Sequence, residues 1–154
     1  MTTFYDEVQE LKGSYEDWRS ATMPALRLAQ EKHGYLSPDA LRETAEALGT
    51  TPAFCESVAS FYDMFHEQPV GRHLVEVCTN VSCALVGAQQ VLERLEDELG
   101  VRAGETTGDG EVTLRTVECL GGCAWPTIVA VDHRYRQNVS ANDVPAIVSE
   151  VRGG

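Results

Sequence analysis

Basic side chains are scarce in this 154-residue chain: 12 lysines and arginines stand against 24 aspartates and glutamates, a formal net charge of −12. Such a chain repels DNA, RNA and anionic membrane faces, which excludes nucleic-acid binding as its task. No apolar run approaches the roughly 18 residues that a membrane span needs. The opening segment, Met1-Thr2-Thr3-Phe4-Tyr5-Asp6-Glu7, is acidic and has no basic stretch followed by an apolar one, so it does not read as a signal peptide. A cytoplasmic protein is expected, where five cysteines are not expected to form disulfides. Two motifs are also missing. There is no Cys-x-x-Cys pair of the kind that thiol oxidoreductases use, and no G-x-G-x-x-G after a strand to hold a dinucleotide.

What remains is an ordinary globular composition, 43% apolar, with two textures. Residues 1–68 read as a helical region and 69–154 as mixed α/β, with Gln68-Pro69-Val70-Gly71 as the joint. In the first part Ser14 is placed to cap a helix running to about Lys32, with Trp18, Leu26 and Ala29 inward and Gly34 as the stop. Pro24 predicts a break near Thr22 or Met23. Ser37-Pro38 starts a helix that buries Leu41, Ala45 and Leu48 and ends at Gly49. Thr51-Pro52 starts another, with Phe54, Val58, Phe61 and Phe65 as an apolar stripe for the core.

The period then changes. His73 to Val77 reads as a strand ending at Cys78, and Ala84 to Leu99 as a helix burying Ala88, Val91, Leu92, Leu95 and Leu99. Gly104 to Gly110 reads as a polar loop and Val112 to Glu118 as a strand ending at Cys119. Ile128 to Val131 is a short strand, Asp132 to Arg136 a turn into another, and Ser140 with Asp143 caps a last helix through Val151. The order β-α-β-β-α favours a small sheet covered by helices, so the fold class is α+β.

Four cysteines fall into two pairs, Cys78-x4-Cys83 and Cys119-x3-Cys123, each beginning where a predicted strand ends. If those strands run parallel through the crossover helix, both loops lie at one end of the sheet. Three chemistries compete for that site. A four-cysteine zinc adaptor is one, although zinc knuckles favour a tighter C-x2-C. A [2Fe–2S] cluster suits the wider loops, since plant-type ferredoxins open with C-x4-C, and Gly87, Gly121 and Gly122 permit close backbone approach to its sulfides. A dithiol redox site is the third, and it lacks its usual spacing. The cluster leads. Thr79, Asn80 and Ser82 are candidate hydrogen-bonding groups to sulfur, or simply loop polarity. Cys55, alone in a predicted helix, reads as a buried inert thiol. His33, His66, His73 and His133 have no paired ligand spacing, and His73 is weighed between a place behind the cysteines and the surface.

Taken together, Phe61-Tyr62-Asp63-Met64-Phe65, Pro69-Val70-Gly71-Arg72-His73, Val77-Cys78-Thr79-Asn80 with Cys83, Gly104-Glu105-Thr106-Thr107, and Glu118-Cys119-Leu120-Gly121 with Cys123 and Pro126 form one ordered set. It resembles the small thioredoxin-like [2Fe–2S] subunit of NADH–quinone oxidoreductase, respiratory complex I. Gly34-Tyr35-Leu36-Ser37 and Ala45 to Leu48 fit the same pattern, so the resemblance spans about residues 18 to 150. Trp125 stands where the family commonly has a small residue. The resemblance implies an N-terminal helical bundle followed by a thioredoxin-like α/β ferredoxin domain. It implies one [2Fe–2S] cluster on Cys78, Cys83, Cys119 and Cys123. It also implies a flavoprotein partner that alone binds FMN and NADH, so that this chain is an enzyme only as a subunit, at the cytoplasmic face of a membrane when the complex is membrane-bound. The equivalent subunits of NAD-dependent formate dehydrogenases and of bidirectional or bifurcating hydrogenases share these motifs. Partner docking is expected through the helical part and the cysteine loops, with Trp18 and Tyr62 as aromatic candidates unless they belong to the core.

Overall fold

The computed structural model describes residues 2–153. The chain divides into two compact units, one ending at Pro69 and the other beginning at Val70. Among the described residues no helix is long and apolar enough to cross a membrane.

The first unit is wholly helical. Helix α1 (Phe4–Gly13) starts in a capping box: the Thr3 hydroxyl accepts from the Asp6 backbone N–H while the Asp6 carboxylate accepts from the Thr3 N–H. The Thr3 hydroxyl and backbone N–H, both donated to Asp6, hold its carboxyl below the usual carboxylate range. The expected pattern has no separate helix here. Ser14 ends α1 rather than starting the next helix, and Asp17 instead caps a 3₁₀ turn over Trp18–Ala21. Helix α2 (Thr22–His33) begins where Pro24 predicts, because a proline is tolerated only in the first turn. Helices α3 (Pro38–Leu48) and α4 (Pro52–Ala59) start at Ser37-Pro38 and Thr51-Pro52, with each hydroxyl accepting from the N–H three residues on. Val8, Leu26, Leu36, Leu41, Leu48 and Phe65 form the core of this unit. The aromatic stripe is only partly core. Phe61 lies beyond the end of α4 in a turn, 79% exposed, and stacks edge-on against Tyr62.

The second unit is a five-stranded mixed sheet in the order β2-β3-β1-β4-β5. Its strands are β1 (His73–Cys78), β2 (Glu105–Thr106), β3 (Val112–Val117), β4 (Val129–Val131) and β5 (Arg134–Arg136). Only β1 and β3 pair in parallel, and the other contacts are antiparallel. The predicted helix Ala84–Leu99 is in fact two, α5 (Val81–Leu85) and α6 (Ala88–Leu99). Gly87 makes the corner between them at φ +109°, a conformation that side-chain-bearing residues avoid. The polar loop holds a further strand, β2, tied to β3 by the Thr106–Thr113 hydroxyl pair at 2.7 Å. Helix α7 (Val144–Arg152) starts one turn later than Ser140, whose hydroxyl donates to Asp143 at 2.7 Å.

Alternation along β1 sends Val75 and Val77 to one face, where they meet Leu114, Val129 and Val131 of the neighbouring strands. Val91, Leu92 and Leu95 of α6 and Ile147 and Val151 of α7 cover that face. Just before β1, a Cβ on Gly71 would lie 2.9 Å from backbone atoms of Val112 and Thr113, which cannot step aside. Gly71→Ala is therefore expected to destabilise the chain by about 1–3 kcal/mol through overpacking, read as a lower urea midpoint in circular dichroism.

Candidate metal centre

Parallel pairing of β1 with β3 brings the two cysteine loops to one end of the sheet. Cys78 is the last residue of β1 and faces Val117, the last of β3, in register. The Thr79 N–H donates to the Val117 carbonyl at 3.1 Å, and the Cys78 N–H to the Ile128 carbonyl at 3.1 Å, so three chain segments are stitched together beside the first cysteine. Asn80 then caps α5, its side-chain oxygen accepting from the Val81 N–H at 2.7 Å, and the helix carries Cys83 back toward Cys78. Cys119 follows β3, and the Cys119–Cys123 turn is shaped by Gly121 at φ +73°, whose N–H donates to the Cys119 sulfur at 3.2 Å. That is the kind of backbone donor to sulfur that a glycine in this loop permits.

The two pairs differ in environment. Cys78 and Cys83 are buried with Ala88 and Ile128, and Leu120 packs against them. Cys119 and Cys123 are exposed. Burial pushes the Cys83 thiol up, and the neighbouring Cys78 and Cys123 push it further, against the pull of the Ile128 backbone N–H. Cys83 thus feels both Cys78 and Cys123, and Cys119 sits on the same end of the sheet. Among the described residues no three His, Cys, Asp or Glu side chains are gathered as the ligands of a single ion. The donor set nevertheless fits an iron–sulfur cluster. The Cys83 thiol resists carrying negative charge, and bound iron would reverse that preference. A Cβ on Gly122 would lie 2.7 Å from the Ile128 side chain, so the second loop lies directly on the apolar floor beneath the first pair.

Ile128 is the residue that sequence reasoning undervalues; its only signal is membership of a short apolar run. Thr127, fully buried with its hydroxyl 3.5 Å from the Cys83 carbonyl, carries no signal beyond following Pro126. The polar residues of the first loop are occupied by protein: Thr79 donates to the Val117 carbonyl at 3.4 Å, and Asn80 caps α5. His73 lies at the far end of β1 from Cys78, 2.8 Å from Asp132, so it does not stand behind the cysteines. His33 pairs with Glu43, and His66 is buried in the helical unit. Cys55 is wholly buried there, its thiol raised to about 11 by desolvation. Trp18 is half-buried, edge-on to Phe54 at 5.6 Å, with the Arg19 guanidinium over its ring. Around Cys83, by contrast, α5 presents Val81, Leu85 and Val86 to solvent, and Trp125 is exposed beside Cys123.

Residues 8–152 match the family described as thioredoxin-like [2Fe-2S] ferredoxin. The chain belongs to this family. Its cofactor is accordingly one [2Fe–2S] cluster. The chain is 42% identical to a subunit of the NADH-quinone oxidoreductase of Rhizobium meliloti, covering 97% of this chain and 89% of that one. It is 40% identical to the corresponding NADH-quinone oxidoreductase subunit of Mycobacterium bovis, over 95% of this chain but only 58% of that longer protein. Among solved structures, an NAD+-reducing [NiFe]-hydrogenase shares the fold at a TM-score of 0.73 and 20% identity, over 83% of this chain and 22% of that one. The α+β fold class and the ferredoxin family are thus as expected.

The difference in exposure between the pairs is directly measurable. In metal-free folded protein, Cys119 and Cys123 should be alkylated by iodoacetamide within minutes, while Cys55, Cys78 and Cys83 lag until denaturant is added. Peptide mass spectrometry after timed quenching reads the order, and fast labelling of Cys55 would contradict it.

Proposed function

We propose that this chain is the one-electron carrier of an NADH-oxidising complex, NADH–quinone oxidoreductase, and that Cys78, Cys83, Cys119 and Cys123 hold its [2Fe–2S] cluster. The observation that carries this reading is the meeting of two cysteine loops at the carboxyl ends of the parallel β1–β3 pair, in a chain of the ferredoxin family. When bound, the cluster supplies one-electron exchange between ferric and ferrous iron.

The protein's own residues supply the rest. The four thiolates bind the metal, and the Gly121 N–H, aimed at the Cys119 sulfur, softens its charge. Ile128 and Ala88 keep water from the buried pair. Thiolate ligands and a net charge of −12 both oppose adding an electron, so a low potential is expected. Hydride chemistry belongs to a flavoprotein partner that binds FMN and NADH; this chain has no nicotinamide or flavin site of its own. It works in the cytoplasm, at the membrane face where the complex is membrane-bound. Docking uses the exposed aromatic turn at Phe61–Tyr62 and the apolar surface of α5. A second reading, the equivalent subunit of an NAD+-linked hydrogenase, draws on the fold shared with the [NiFe]-hydrogenase.

Anaerobically purified protein should contain about two irons and two sulfides per chain, silent in electron paramagnetic resonance when oxidised and showing a one-electron signal after dithionite. Cys119→Ser should lose the cluster or markedly change its visible spectrum. An unchanged spectrum and iron content in that variant would remove Cys119 from the ligand set, and zinc in place of iron would overturn the carrier role. Affinity purification from the native host separates the two complexes by the partner recovered, a quinone-reducing assembly or a hydrogenase.

A further inference from the structure

A buried ion pair stands on the sheet face that carries Cys78, two residues upstream of it. Leu74, Glu76 and Cys78 alternate away from Val75 and Val77, and so away from the core beneath α6 and α7. Glu76 is 5% exposed. Arg115, its register partner on β3, donates to Glu76 Oε1 from Nε at 2.9 Å and from Nη2 at 2.5 Å. His133 Nδ1 lies 3.8 Å from Oε2, and on the other side β4 sets the small Ala130 opposite. A buried charge pair is a poor stabiliser, because desolvating both ions cancels most of their attraction and two apolar side chains would serve as well. Its position suggests another use. The Glu76 Cα is about 7 Å from that of Cys78 at ~3.3 Å per strand residue, and at that range a buried charge acts with little screening by salt.

We infer that Glu76 helps set the reduction potential of the cluster, its buried carboxylate bringing negative charge to the sheet face beside Cys78, opposite the Arg115 guanidinium. The inference rests on Cys78 being a ligand. Reduction adds one negative charge to the cluster, so removing the negative charge at position 76 must favour the reduced form. Replacing Arg115 instead must disfavour it.

The test is an anaerobic redox titration followed by electron paramagnetic resonance on full-length E76Q, R115Q and the E76Q/R115Q double variant, each first assayed for iron and sulfide. E76Q should shift the midpoint upward and R115Q downward, and the double variant should return to the wild-type value with the signal shape unchanged. An unshifted midpoint in either loaded single variant overturns the inference. So does failure of all three to retain the cluster, which would make the pair a structural requirement only. If the double variant alone loads, a wild-type midpoint is expected, and any other value counts against the proposal. Because iron and sulfide are assayed independently, a wrong ligand assignment, exposed by a Cys78→Ser variant that keeps its cluster, is distinguished from a correct site that Glu76 does not tune.

Discussion

Everything at the cysteine end of this protein depends on one parallel strand pairing. A parallel pair cannot be closed by a hairpin, so β1 must leave the sheet, cross over through a helix and return as β3 in the same direction. The crossover here is α5 and α6, and α6 returns the chain by burying Val91, Leu92 and Leu95 against Val75, Val77 and Leu114. Register does the rest. With Cys78 opposite Val117, the loop that leaves β1 and the loop that leaves β3 emerge side by side. Slipping β1 by one residue would turn Cys78 into the valine core and bring Val75 and Val77 out to the face that carries Glu76. The apolar pattern that specifies the core therefore also sets which way Cys78 faces.

The same arrangement sets up an electrostatic conflict that a metal relieves. An apolar floor of Ile128 and Ala88 lies against Cys78 and Cys83, and burial disfavours the Cys83 thiolate. The raised thiol of Cys83 is the visible consequence. Bound iron would reverse that preference. Cys119 and Cys123 face solvent instead, and the Gly121 N–H partners the Cys119 sulfur. One half of the site is fixed by packing and the other by a turn at Gly121.

Much of this is legible in the sequence, because the strongest signals are local. Ser37-Pro38 and Thr51-Pro52 each combine a capping hydroxyl with a first-turn proline, and both helices start there. The strand ending at Cys78 and the α6 stripe follow from period alone. The misses have a common physical cause, a side chain whose partner lies elsewhere than periodicity suggests. Ser14 looks like a start but closes α1, whose real cap is the Thr3–Asp6 box at the extreme N-terminus. Gly87, read for close backbone approach, also makes the corner between α5 and α6 that periodicity merges into one helix. Glu105 and Thr106 are too polar and too few to show a strand pattern, and they pair only because β3 offers its edge. Ile128 does not show itself as the floor of the site, since its role comes from Gly122, which precedes it by six residues, and from Cys78 across the sheet.

The placement of cavities also bears on how the chain can act. The 470 Å³ cavity between β5 and α7 is lined by Tyr135, Arg136, Asn138, Asp143 and Glu150, with Arg136 and Glu150 paired at 2.6 Å across it. None of its lining residues is a cysteine or a neighbour of one. A reaction that rearranges bonds in a substrate needs enclosure, orientation and groups that move protons at the reacting atoms. The cysteine end offers something different: two exposed sulfurs, an apolar surface at Val81, Leu85 and Val86, and an exposed indole at Trp125. Such a surface suits contact with another protein, which excludes water and brings a second redox centre near. The proposed one-electron transfer needs only that proximity, and the two exposed sulfurs at this edge of the sheet are placed to meet it.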